Sequence, residues 1–364
     1  MRLNKLQKIL EEKNLKCGIV TNAASIFYFT GYDYITTDIG NNVALLYCDF
    51  NPVIIVPLLE LYRAEEKVID IDIIAYSNTF SGDKIFKGNL TDVILNYVKN
   101  IAKDNKVGID VQSTSTTFYI QLANKMEIID ISKEISLTRA IKEPEELELI
   151  KKAGEITAVA MKVAQEKITS SEISEKHLAG IIDMTMRTEG AEDYAFPSIV
   201  AFAENSAFPH HVPTNKIIKD GQNGIVDIGA RYEKYCFDST RTFIKGNNDE
   251  IKKIYEIVLQ AQLEAIDKVR EGAKASEIDL AARNVIEKAG YGKYFIHSTG
   301  HGVGIEVHEY PAISPTSDAE LKENMVITIE PGIYLKGKFG VRIEDTIIVT
   351  KKKPIVLETT FKYI

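Results

Sequence analysis

One stretch constrains this chain more than any other: Gly224 to Thr242, GIVDIGARYEKYCFDSTRT. IVDI and YCFDSTRTF are β-prone and largely apolar, and the polar ARYEK between them suits a turn. The pattern predicts a β-hairpin with one aspartate in each arm. With Tyr232 and Glu233 as the central turn residues, Asp227 and Asp238 face each other across the strands. Directly opposed side chains hold their Cβ atoms roughly 5 Å apart, and like charges there are destabilising. Two carboxylates so placed in an apolar hairpin call for a cation or a shared proton.

The chain of 364 residues is long enough for two domains with sizeable cores. A net charge of -8 with no long basic run argues against nucleic acid or an anionic membrane surface as the main partner. Cys17, Cys48 and Cys236 show no CxxC spacing; their scarcity fits a reducing cytoplasm and argues against a disulfide framework. MRLNKLQKILEEKN reads as a charged amphipathic helix rather than a signal peptide, and no run approaches the ~18 apolar residues of a membrane span.

Residues 1–134 alternate strand and helix patterns and predict an α/β domain. CGIVT, VALLYC, PVIIV, IDIIAY, VGIDV and MEIIDI read as strands; Leu3 to Glu12, LTDVILNYVKNIAKD and Phe118 to Lys125 read as helices. This part contains no histidine and no Gly-rich phosphate loop, so its expected work is structural, oligomeric or access-restricting. Ser132 to Glu143 is polar, and Pro144 followed by acidic residues opens a long helix. A second domain is therefore expected over residues 135–364.

That second domain carries an internal repeat. IKK at 150–152 recurs at 251–253, and SEI at 171–173 recurs at 276–278, each expected early in a helix, at offsets of 101 and 105. Two related α+β halves joined through a shared sheet follow from this. Shifted by similar amounts, Asp227 meets Glu330 in MVITIEPGIY and Asp238 meets Glu344 in GVRIEDTIIV. A pseudo-twofold arrangement brings the four acids to one centre. His301, flanked by Gly300, Gly302 and Gly304 in STGHGVGIEVHE, supplies an imidazole where backbone can approach closely. Four carboxylates and one imidazole can hold two divalent metals ~3.5–4 Å apart, and a water bridging them becomes a nucleophile near neutral pH. Mn²⁺, Co²⁺, Fe²⁺ and Zn²⁺ all suit such ligands.

NSAFPHH, VDIGARYEKYCFDSTRTF, HSTGHGVGIEVHEYP, TIEPGIY and VRIED, in this order and spacing, resemble the pita-bread metallopeptidases of the Xaa-Pro aminopeptidase and prolidase branch. NAASIFYFTGY and TRAIKEPEELELIKKA extend the likeness to a creatinase-like N-terminal domain, so it spans nearly the whole chain. The resemblance implies that Asp227 chelates one metal, His301 and Glu330 bind the other, and Asp238 and Glu344 bridge. It implies two divalent ions, Mn²⁺ first among them, and Glu330 as general base. It places His210 near the substrate, His308 at the scissile peptide, His297 in the pocket or behind it, and Arg342 in support of the ligands. His211 has no role by spacing, Tyr334 reads as core, and His177 reads as a solvated helix face.

The implied activity is removal of an N-terminal residue ahead of proline. Some prolidase-like relatives carry an arginine just after HE(W/Y)P, where this chain has Ala312, which favours longer peptides over dipeptides as substrates. A methionine aminopeptidase usually lacks such an N-terminal domain, a creatinase works without metal, and non-enzymatic relatives typically lose ligands that this chain keeps. A homo-oligomer, such as a dimer, is the expected assembly.

Overall fold

The seven strands of the N-terminal sheet run in the order Ile85–Lys87, Asp72–Ser77, Asn51–Pro57, Ala44–Cys48, Cys17–Val20, Lys106–Ile109, Glu127–Asp130. Ala44–Cys48 is antiparallel to both its neighbours, and the remaining pairs are parallel. These assignments come from a computed structural model that describes residues 2–33, 42–101 and 106–357. The end of the expected helix LTDVILNYVKNIAKD, at 102–104, lies outside the described residues. The chain divides into two compact units, Met1–Arg139 and Ala140–Ile364.

The first unit adds one helix and corrects one expectation. The polar segment after residue 131 is a helix, Ser132–Ala140. Its buried stripe is Ser132, Ile135 and Arg139, and an arginine on the inner face hides the helical period. The Arg139 guanidinium donates to the Ser25 hydroxyl at 3.1 Å. Cys17 and Cys48, for which no disulfide was expected, are bonded to each other. They are register partners on adjacent antiparallel strands with Cα atoms 4.2 Å apart. Strand register places them together, and their separation of 31 in sequence gives no hint of it.

In the second unit, Pro144–Ser170 starts at a capping box in which the Glu143 N–H donates to the Glu146 carboxylate at 2.9 Å. Ile150, Ala153, Thr157, Ala160 and Ala164 form its buried stripe. Ile251, Ile254, Val258, Ala261 and Ala265 do the same in Asp249–Lys268, each 101 positions later, as the IKK match requires. The SEI match does not hold. The second helices are Glu175–Thr188 and Ala275–Lys288, so one SEI precedes its helix and the other lies within it. Leu178, Ile182 and Met186 are matched by Ile278, Ala282 and Ile286, and isolated bridges at Ser174–Ile217 and Lys274–Glu320 precede the two helices. The equivalent offset there is 100.

Each half pairs its helices with a sheet. Ile199–Phe202, Asn223–Ile228 and Ser239–Ile244 are antiparallel, with Asn223–Ile228 in the middle. Gly300–Gly302, Val326–Ile329 and Asp345–Ile348 form the same order, extended at the edges by Glu309–Ile313 and Ile355–Leu357. The halves are not one continuous ladder, as a shared sheet would make them. They are stitched by the Glu344 N–H donating to the Thr240 carbonyl at 3.0 Å and the Thr346 hydroxyl donating to the Asp238 carbonyl at 2.7 Å. A buried ion pair, Arg241 to Asp345 at 2.8 Å, joins them as well. Among the described residues no helix is long and apolar enough to cross a membrane.

Candidate active site

The aspartate hairpin turns at Glu233 and Lys234, not at Tyr232 and Glu233. Both turn residues have positive φ, 44° and 72°, and Tyr232 pairs with Tyr235. Asp227 therefore opposes Thr240 rather than Asp238. Asp238 sits just before the returning strand, across from Gly229, where a Cβ would fall 1.7 Å from the Phe237 carbonyl oxygen. The two halves repeat this placement. Asp227 is the next-to-last residue of one central strand and Glu330 follows the last residue of the other, while Asp238 and Glu344 immediately precede their partner strands.

All nine residues singled out from sequence line one cavity of about 1000 Å³: Asp227, Asp238, Glu330, Glu344, His210, His297, His301, His308 and Arg342. Donor atoms of Asp238, His301 and Glu344 all lie within 4.8 Å of one another. His301 Nε2 is 3.3 Å from Glu330 Oε1 and 3.6 Å from Asp238 Oδ2. Gly300 and Gly302 are forced by crowding around His301. A Cβ on the first would stand 2.0 Å from the Thr328 carbonyl oxygen, and on the second 2.3 Å from that of Tyr310.

The donor set fits divalent cations. Asp227 Oδ1, Asp238 Oδ1 and Glu344 Oε1 are buried oxygens without a hydrogen-bond partner, a costly state unless something else meets them. Burial and the neighbouring acids push the carboxyls of Asp238 and Glu344 well above the usual range. A divalent cation would offset that repulsion. His301 Nδ1 meets the Gly302 carbonyl at 3.1 Å, and its Nε2 faces Glu330 and Asp238. That is how a metal-ligating histidine is commonly oriented. Burial opposes protonation of the ring, but the hydrogen bond and charge of Glu330 outweigh it and raise its pKa, and a cation at Nε2 would take the place of that proton. Burial works against ionisation of Glu330, but the hydrogen bond and charge of His301 outweigh it and bring the carboxyl down to about 2.

Around this cluster the other residues separate by what they touch. Arg342 donates to Asp227 Oδ2 at 2.7 Å, to the Tyr334 hydroxyl at 2.8 Å and to Thr240 Oγ1 at 3.1 Å. The Tyr334 hydroxyl reaches His297 Nε2 at 2.8 Å, while His297 Nδ1 donates to the Ser298 carbonyl at 2.7 Å. Both ring nitrogens of His297 are thus engaged by protein. Burial lowers its pKa, so the neutral ring that accepts from Tyr334 is favoured. The His308 ring packs edge-on against His301 with centroids 4.3 Å apart; burial, then the charge of His301, lower its pKa. His210 is exposed in the cavity. His177 is exposed on its helix, away from the cavity lining.

The sequence pattern places Tyr334 in the core. It is buried, yet its hydroxyl links Arg342 to His297, and burial raises that hydroxyl to about 12. Gly340 opposite it makes the room, since a Cβ there would come 2.8 Å from the Tyr334 ring. Thr240, which no motif marks, also serves the site: its hydroxyl donates to Glu344 Oε2 at 2.7 Å. Neither carries a local signal, because Thr240 acts on partners more than a hundred residues away and Tyr334 on one across a hairpin and one 37 residues away.

Residues 148–351 match the model of metallopeptidase family M24, and residues 2–141 match the creatinase/prolidase N-terminal domain. The Xaa-Pro dipeptidase of Pyrococcus furiosus is 37% identical, with 96% of this chain and 95% of that protein covered. The solved prolidase of Pyrococcus horikoshii superposes with a TM-score of 0.89 at 34% identity, covering 100% of this chain and 99% of that one. The X-Pro aminopeptidase of Thermotoga maritima gives a TM-score of 0.87 at 32% identity, covering 99% and 98%.

Proposed function

Because the chain belongs to metallopeptidase family M24, we propose that it hydrolyses the peptide bond between an N-terminal residue and a following proline, with Xaa-Pro dipeptides as substrates. The observation that carries the hydrolytic part is the convergence of four carboxylates and His301 on one cavity with three buried carboxylate oxygens left over. The proline preference and the dipeptide length are supported by the names of the relatives.

Asp227, Asp238, His301, Glu330 and Glu344 would hold two divalent ions, Mn²⁺ being suited to this oxygen-rich set. When bound, such ions polarise a carbonyl and lower the pKa of water. Glu330, which lines the cavity 3.3 Å from His301 Nε2, is the group assigned here to accept the proton of the attacking water. His308, neutral near pH 7, and His210 offer N–H donors to the oxyanion that develops on the scissile carbonyl. Arg342, Tyr334 and His297 keep Asp227 and the cavity wall in position rather than meeting substrate.

One observation favours longer peptides as a second reading. Arg342 is the only lysine or arginine among the described residues lining the cavity; it is 3% exposed and engaged by Asp227. Ala312, also in the lining, offers no charge to a dipeptide carboxylate. Turnover of Xaa-Pro against Xaa-Pro-Yaa by the Mn²⁺-loaded enzyme decides. Preference for the dipeptide supports the main reading, preference for the tripeptide supports the second, and hydrolysis of neither removes both.

A further inference from the structure

His210 lies on a segment from Ala203 to Thr214 that lines the cavity over Phe208 to Pro213, and both ends of the segment are tied to one carboxylate. Glu175, first residue of the helix Glu175–Thr188, is fully buried. Its Oε1 accepts from the Phe202 N–H at 2.8 Å and from Asn205 Nδ2 at 2.9 Å. Its Oε2 accepts from the Thr214 N–H at 2.8 Å, the Thr214 hydroxyl at 2.6 Å and His211 Nε2 at 2.9 Å. All five partners donate, so only a carboxylate satisfies the set.

The segment needs such a tie. Ala203 has a φ of 49°, a left-handed conformation that a non-glycine residue keeps only where its surroundings hold it. The groups on either side of it, Phe202 N–H and the Asn205 amide, both end on Glu175 Oε1. At the far end, Glu175 takes the imidazole of His211. The adjacent His210 makes no hydrogen bond among the described residues and stands in the cavity.

We propose that Glu175 is a positioning residue for peptide hydrolysis: it fixes the Ala203–Thr214 segment and, through it, sets the His210 imidazole against the substrate. This rests on the reading above that His210 faces substrate.

The test is a double-mutant cycle on the full, Mn²⁺-loaded chain with Glu175→Gln and His210→Ala. The amide turns an acceptor into a donor facing N–H groups. Expected is a kcat loss of about ten- to a hundredfold with KM within about threefold, and faster hydrogen exchange at the Phe202 and Thr214 amides. In the His210→Ala background the same change should cost less than about twofold more, because Glu175 acts through His210. Equal losses in both backgrounds, or an unchanged kcat, overturn the proposal. If Glu175→Gln does not fold, Thr214→Val enters the same cycle, with a loss of about threefold expected only when His210 is present; additive losses again overturn it. The cycle is read on whichever peptide the wild type hydrolyses, so failure on proline peptides counts against the substrate reading and leaves Glu175 to be judged separately.

Discussion

Arg342 donates to one oxygen of Asp227 at 2.7 Å and leaves the other buried without a partner. The contact spans the two halves of the catalytic unit. It prevents Asp227 from rotating freely, and it leaves one oxygen for a cation.

Tyr334→Phe tests how far that contact depends on its neighbours. The ring stays and only the link from Arg342 to His297 is lost. We expect Mn²⁺ affinity or kcat/KM to fall about 10–100-fold, the usual scale for a residue behind the ligands. Metal titration and steady-state kinetics check this, and wild-type values in both would show that Arg342 holds Asp227 unaided.

Asp238→Asn should be more severe. Asp238 lies within the tight donor group with His301 and Glu344, and an amide there replaces a charged acceptor with a donor. Metal content should drop below two ions per chain, and activity should fall more than ~100-fold. Near-full activity with two ions bound would remove Asp238 from the ligand set.

Glu175 gives the fold an acid-sensitive tie. Burial alone would raise its pKa, but the bonds from Thr214, Phe202, His211 and Asn205 outweigh burial and hold it below the reference of 4.5. A depressed folded value means that the stabilisation is complete above the unfolded pKa and drains away as pH falls through the folded one. The difference in Tm between wild type and Glu175→Gln should therefore be largest near about pH 6 and shrink below about pH 4. A difference that does not vary with pH contradicts this.

The Cys17–Cys48 bond closes a loop of 31 positions, for which loop-closure entropy gives about 3–4 kcal/mol. Denatured but unreduced protein should titrate one thiol, that of Cys236, and three after reduction. Cys17→Ala should lower stability by about 2–4 kcal/mol. Three reactive thiols before reduction would show that the pair is open.

The sequence by itself determined the inventory of the site and the faces of its elements. Arg342 and Glu344 were legible two residues apart, as was the stripe shared by the helices at Ile150 and Ile251, because burial of one face writes a period into nearby residues. Tertiary structure decided what that period does not record. The hairpin register turned on positive φ at Glu233 and Lys234, neither of them the Asn or Gly that announces such a turn. The Cys17–Cys48 contact came from strand pairing, and the second repeat offset from the packing of helices rather than from SEI. Tyr334 and Glu175 acquire their roles from polar groups brought to them from distant segments or across a hairpin. A hydrogen bond between such groups leaves no local pattern, since its geometry exists only once both segments are in place.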